Sequence, residues 1–142
     1  MNSSDQPIEQ HTALIVDDNF YNRHIFHIAL ESVGYAVTEM EDGLQGTALL
    51  RDQTFHLLVL DLQMPTMDGR AVLRHVRGQP LHENMHIIVV TANAHMATDD
   101  IDLMADYVMF KPIDVVEFSE FARRLKRIAV PMPKVDLKSD PG

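Results

Sequence analysis

Along this chain, short runs of apolar residues alternate with longer stretches whose apolar positions recur every three or four residues. Ala13-Leu14-Ile15-Val16 is the first run, and unbroken apolarity over so short a length marks a strand buried on both faces. Asp17-Asp18-Asn19 then offers helix-capping side chains, and Tyr21, Ile25, Ile28, Ala29 and Val33 follow at helical spacing until Gly34 ends the stretch. Tyr35–Met40 alternates as a strand. Glu41-Asp42-Gly43 turns into a second helix carrying Leu44, Ala48 and Leu49. Residues 55–60 and 86–90 are further buried-type strands, separated by a loop through Pro65 and a helix over Gly69–Arg77. A short helix over 98–104 leads to a fifth strand at 106–110. Asp114 then caps a last helix with Val115, Phe118, Phe121, Ala122, Leu125 and Ile128 on one stripe.

Five strands, each followed by a helix, predict an α/β fold: a doubly wound five-stranded parallel sheet with helices on both faces. Residues 1–11 are polar and without period and are expected to be a disordered tail. Residues 12–129 form the folded domain. Residues 130–142 hold three of the seven prolines and are expected to be a second disordered tail, too short for an output domain.

Composition narrows the function. The 142 residues include no cysteine, which excludes a disulfide framework, a zinc ribbon and a thiol nucleophile. No run approaches the roughly 18 apolar residues needed to span a bilayer, and the first residues lack a signal peptide's basic and apolar regions, so a cytoplasmic location is expected. Twelve Lys and Arg stand against 21 Asp and Glu, a formal net charge of −9. A field of that sign repels nucleic acid and anionic membranes and favours a cation as partner.

In open parallel sheets, ligands bind beyond the carboxyl ends of the strands. Here those ends are Asp17-Asp18 on the first strand, Asp61 on the third, Thr91 on the fourth and Lys111-Pro112 on the fifth. Each alone has an ordinary explanation as a cap, a turn or a β-branched strand residue. Together they gather three carboxylates, a hydroxyl and an ammonium on one edge. Ionised carboxylates that close repel by several kcal/mol at an effective dielectric of about 20, so the edge calls for a counter-charge. Oxygen donors suit a hard divalent cation such as Mg²⁺, the lysine suits an anion beside it, and a carboxylate can accept a phosphoryl group.

The residues at these ends resemble the response-regulator receiver domain, the CheY-like family. The resemblance is carried by Leu14-Ile15-Val16-Asp17-Asp18-Asn19, by Asp61-Leu62-Gln63-Met64-Pro65-Thr66-Met67-Asp68-Gly69, by Val89-Val90-Thr91-Ala92-Asn93 and by Phe110-Lys111-Pro112-Ile113. It covers about residues 12–129. It implies a flavodoxin-like strand order of 2-1-3-4-5. It further implies Asp61 as phosphoacceptor, Asp18 as a direct Mg²⁺ ligand with Asp17 acting mostly through water, and the backbone carbonyl of Gln63 completing the protein's share of the metal shell. Lys111 would hold a phosphoryl oxygen, Thr91 would be the switch hydroxyl, and the Lys111–Pro112 bond would be cis.

By the same resemblance, the chain is a stand-alone response regulator of a two-component or phosphorelay system. The phosphodonor would be a sensor histidine kinase or a histidine phosphotransfer protein, and output would pass to an effector protein by contact. Such a protein accepts a phosphoryl group, with autodephosphorylation open to it, and is not a multiple-turnover enzyme. Two departures bear on switching. Val108 stands where the family often has an aromatic, with Tyr107 facing the other side of the sheet. The span from Thr91 to Lys111 is short and lacks a glycine before the fifth strand, so a short or mobile fourth helix is expected.

The rival readings are a degenerate receiver that docks partners without phosphorylation, and a haloacid-dehalogenase-type phosphatase. The phosphatase pattern needs a second Asp two residues after the nucleophile, where this chain has Gln63. A flavin or nucleotide binder would need a glycine-rich first loop in place of Asp17-Asp18-Asn19. His24 and His27, three apart on the first helix, are read as solvent-facing, and the basic run at 123–127 as complementing its helix's dipole.

Overall fold

The computed structural model describes residues 10–65 and 67–128. The expected tails therefore lie outside the described residues except for Gln10 and His11, and His11 is the first residue of a strand rather than part of a tail. The elements are β1 (His11–Val16), α1 (Phe20–Ser32), β2 (Tyr35–Met40), α2 (Gly43–Leu50), β3 (Leu57–Asp61), α3 (Gly69–Arg77), β4 (His86–Thr91), α4 (Asp99–Met104), β5 (Tyr107–Phe110) and α5 (Val115–Leu125). The strands form one parallel sheet in the order β2-β1-β3-β4-β5, as expected. Among the described residues, no helix is long and apolar enough to cross a membrane.

The alternating direction of side chains along each strand sorts the core into two layers. Ala13, Ile15, Leu57, Val59, Ile88 and Val90 pack under α1 and α5, against Phe26, Ala29, Phe118 and Ala122. Leu14, Val16, Leu58, Leu60, Ile87 and Val89 pack under α2, α3 and α4, against Leu50, Val72, Leu73 and Ile101. The central strands β1, β3 and β4 are covered on both sides, which is why they are nearly unbroken apolar runs. Each fully buried Leu or Ile contributes about 1.5–3 kcal/mol relative to exposure.

Helix ends follow their capping residues. Asn19, Asp42, Asp68 and Asp114 each accept a hydrogen bond from a backbone N–H in the first turn, at 2.8–3.0 Å. Gly34 takes a positive φ of 97° between α1 and β2. The fourth helix is short, six residues, after a 3₁₀ turn at Ala94–Met96.

Two helices are rotated from the expected faces. On α1, Phe26, Ala29 and Leu30 are buried, with Val33 just beyond, while Tyr21, Ile25 and Ile28 point outward. Both sets obey helical spacing, and the ring contact of Phe26 with Phe118 at 5.0 Å selects the first. On α2, Leu44 and Ala48 are exposed, and Gly43, Gly46, Thr47 and Leu50 face the sheet. A Cβ on Gly46 would stand 2.9 Å from Val16 Cγ2, so the helix approaches β1 through a residue with no side chain. On α5, Phe118, Ala122 and Leu125 are buried, Phe121 packs edge-on to Tyr107 at 4.4 Å, and Val115 and Ile128 are exposed.

Gly69 opens α3 against the backbone that follows β3. A Cβ there would meet the carbonyl oxygen of Asp61 at 2.6 Å and Leu62 Cα at 2.7 Å. Backbone atoms yield less than side-chain ends, so Gly69→Ala is expected to destabilise the fold by about 1–3 kcal/mol. Urea unfolding followed by circular dichroism measures this, and an unchanged midpoint would show that α3 tolerates the shift.

Candidate functional site

The carboxyl ends of β1, β3, β4 and β5 meet at one edge, and the predicted residues meet with them. Asp17 follows β1 and is 1% exposed, Asp61 is the last residue of β3 and 5% exposed, and Asp18 is exposed. One carboxylate oxygen from each of the three lies within 4.8 Å of the others. β4 pairs beside β3 with Val90 opposite Asp61, so Thr91 stands one residue beyond. The Lys111 N–H donates to the Thr91 carbonyl at 2.9 Å, extending the β4–β5 ladder by one rung, and the Lys111–Pro112 peptide is cis.

Lys111 Nζ lies 3.3 Å from Asp17 Oδ2 and 3.6 Å from Asp61 Oδ2. One ammonium thus stands against three carboxylates. At this spacing two ionised oxygens repel by about 3–4 kcal/mol at an effective dielectric of about 20. Burial, then the charge of Asp17, raise the Asp61 carboxyl from its usual 3.8 to about 6. Asp18 adds to the rise, while Lys111 and the Gln63 N–H, which donates to Asp61 Oδ1 at 3.1 Å, oppose it. An all-oxygen donor set with excess negative charge fits a hard divalent cation.

Asp17 is held from every side. Its N–H donates to the Met40 carbonyl at 3.2 Å, its Oδ1 accepts from the Asn19 N–H at 2.9 Å, and its carbonyl accepts from Arg23 Nη1 at 2.8 Å. Thr91 is fully buried. Its Oγ1 donates to the Asn93 carbonyl at 3.3 Å and accepts from the Asn93 N–H at 3.1 Å, so the hydroxyl is tied to the start of the turn before α4. Val108 packs toward the α2–α4 layer and Tyr107 toward the α1–α5 layer, on opposite faces as expected.

The sequence reading passed over Arg23 and Glu39, and read His27 as solvent-facing. Arg23 Nε donates to Glu39 Oε1 at 3.1 Å, and His27 Nδ1 lies 2.5 Å from Glu39 Oε2. His27 Nε2 also pairs with Glu31 at 3.1 Å, so this histidine is not a free surface residue. Burial works to lower its pKa, but the bonds and charges of Glu39 and Glu31 outweigh it and place it above the usual 6.5. His24 instead stacks on Phe20 with ring centroids 5.9 Å apart. Helical spacing pairs His27 with Glu31, but nothing local couples either to β2.

Comparison with known proteins agrees with this geometry. The family model described as "Response regulator receiver domain" matches residues 13–123. A probable chemotaxis protein CheY of Rhizobium etli is 34% identical over 110 residues, covering 75% of this chain and 85% of the relative. The sensor protein EvgS of Escherichia coli K12 is 31% identical over 131 residues, covering 89% of this chain and 11% of that much longer protein. The solved receiver domain of the sensor histidine kinase PA1611 from Pseudomonas aeruginosa has a magnesium ion coordinated in its active site cleft. It superposes with a TM-score of 0.71 at 27% identity, over 82% of this chain and 98% of that one.

The raised Asp61 pKa sets a pH dependence. The folded state holds this proton more tightly than the unfolded chain, so in metal-free protein the group's contribution to stability falls as pH rises from about 4 to about 6 and then levels off. A divalent cation competes with that proton. The rise in melting temperature on adding saturating MgCl₂ is therefore expected to be larger at about pH 7 than at about pH 5. Thermal melts by circular dichroism test this, and equal gains at both pH values would contradict it.

Proposed function

Since the chain belongs to the response regulator receiver domain family, we propose that Asp61 accepts a phosphoryl group from a partner's phosphohistidine in a Mg²⁺-dependent step, and that the product switches a protein–protein contact. The observation that carries this reading is the single pocket formed by Asp17, Asp18, Asp61 and Lys111. Acceptor, metal-ligand carboxylates and a cation for the transferring oxygens stand together there. The donor in this reading is a sensor histidine kinase or a histidine phosphotransfer protein.

An Asp61 carboxylate oxygen attacks phosphorus, the P–N bond to the donor imidazole breaks, and its electron pair stays on the ring nitrogen. Asp17, Asp18, Asp61 and the Gln63 carbonyl would hold Mg²⁺, which when bound neutralises charge on the transferring oxygens. Lys111 is within reach of the Asp61 oxygen and takes a phosphoryl oxygen as the new charge forms. Thr91 can bond the phosphoryl group only by releasing the Asn93 carbonyl, and that release loosens the turn leading into α4. With Val108 in place of an aromatic, Thr91 and this turn carry the switch.

The exposed strip of Phe20, Tyr21, Ile25 and Ile28 on α1 suits the donor protein. Ile25 lines a cavity of about 410 Å³ shared with Lys111, Pro112 and Ile113. The reading includes a cytoplasmic location, no direct contact with nucleic acid or membrane, and no multiple turnover.

Incubation with acetyl phosphate and MgCl₂ is expected to add one phosphate per chain, detected by intact-mass spectrometry. Asp61→Ala, or chelation of the metal with EDTA, is expected to abolish the addition. Equal uptake by wild type and Asp61→Ala would reject Asp61 as acceptor.

A further inference from the structure

Of the three carboxylates assigned to Mg²⁺, Asp18 is the exposed one. No hydrogen bond from another residue to its carboxylate is seen among the described residues, so the backbone around it must set where it points. The peptide joining Asp17 to Asp18 is therefore decisive, and one side chain grips its carbonyl. Arg23 Nη1 donates to the Asp17 carbonyl at 2.8 Å, while Nε of the same guanidinium donates to Glu39 Oε1 on β2 at 3.1 Å. The Arg23 side chain is only 11% exposed, and its guanidinium lies 5.8 Å from the centroid of the Phe20 ring. Glu39 is held in turn by His27 Nδ1 at its second oxygen. A planar fork with both prongs engaged fixes orientation as well as position.

We propose that Arg23 is a positioning residue for the metal site, holding the Asp17–Asp18 peptide so that Asp18 faces Asp61, with Glu39 as the anchor of the fork. The inference rests on the Mg²⁺ site proposed above and adds to it a residue that touches neither the metal nor the phosphoryl group. Groups that orient metal ligands from behind typically change affinity ten- to a hundredfold when removed.

Charge and geometry make opposite predictions here. A cation near a metal site repels the metal, so if Arg23 mattered only as a charge, Arg23→Gln would bind Mg²⁺ more tightly. As a positioning residue, its loss weakens binding. Arg23→Lys separates the two further, because it keeps the charge and loses the fork.

Isothermal titration calorimetry with MgCl₂ at neutral pH reads the affinity, and urea unfolding confirms that each variant is folded. Arg23→Gln is expected to bind Mg²⁺ roughly tenfold more weakly than wild type, and Arg23→Lys is expected to be weakened as well. Unchanged or tighter binding by Arg23→Gln overturns the inference, and so does full wild-type affinity in Arg23→Lys. Should Arg23→Gln not fold, Arg23→Lys carries the test alone. Wild-type protein that ignores Mg²⁺ overturns the metal site itself and this inference with it. Wild type that binds, beside folded variants that bind equally well, overturns the role of Arg23 alone.

Discussion

The close approach of Asp17, Asp18 and Asp61 against a single ammonium is the interaction on which the rest of this molecule turns. Such an arrangement is unfavourable by itself, and the fold enforces it. Asp17 and Asp61 are carried in by two of the most deeply buried strands of the sheet, whose side chains are packed alternately into two core layers, so that a slip by one residue would exchange the contents of both layers and disrupt their packing. The repulsion is therefore stored at the strand ends. It adds to the effect of burial in raising the Asp61 carboxyl to about 6, and it leaves one lysine shared between two acids. A divalent cation and then a phosphoryl group are the kinds of charge such a pocket can receive.

The two halves of the pocket are anchored differently. The Asp17–Asp18 side is tied to β2 and α1 through Met40, Asn19 and Arg23. On the other side the Thr91 backbone is paired to β5, but its hydroxyl is bonded to the turn that follows it, through Asn93, which leads into a six-residue helix. That helix is anchored in the core by Ile101, its one fully buried residue, and from α3 by the Arg70–Asp100 pair at 3.1 Å and by Arg77 Nε, which donates to the Met104 carbonyl at 2.6 Å. In the proposed function the Asp17–Asp18 side presents ligands in place, while the Thr91 hydroxyl must change partners. A switch needs both, since a change in charge shifts a conformational balance only where the two states differ by little.

Much of the fold was legible before any coordinates. The parallel sheet and its five helices follow from apolar runs and helical spacings, and the bounds of α3 agree to the residue. The rotations of α1 and α2 were not legible. On α1 two apolar sets share the helical period, and only contact with Phe118 on a distant helix separates them. On α2 the buried face contains two glycines and a threonine, so a search for large apolar residues finds the wrong side. The strand-end residues of the site were legible because topology makes strand ends meet, whatever the details of packing. Arg23 and Glu39 were not, because a guanidinium's partners depend on which way its helix faces.

The sequence by itself determined which residues end the strands, and with them the chemistry available at the edge: three carboxylates, a hydroxyl and a lysine, with no thiol anywhere in the chain. Periodicity and strand order are local or topological properties, and one chain carries them in full. Only the tertiary structure decided the distances of 3.3 and 3.6 Å that make Lys111 a shared counter-ion, the burial that raises the Asp61 pKa, and the grip of Arg23 on the Asp17 carbonyl. These depend on residues far apart in the chain being brought within ångströms by packing, and electrostatic energy at that range changes more steeply with distance than any pattern along the chain records.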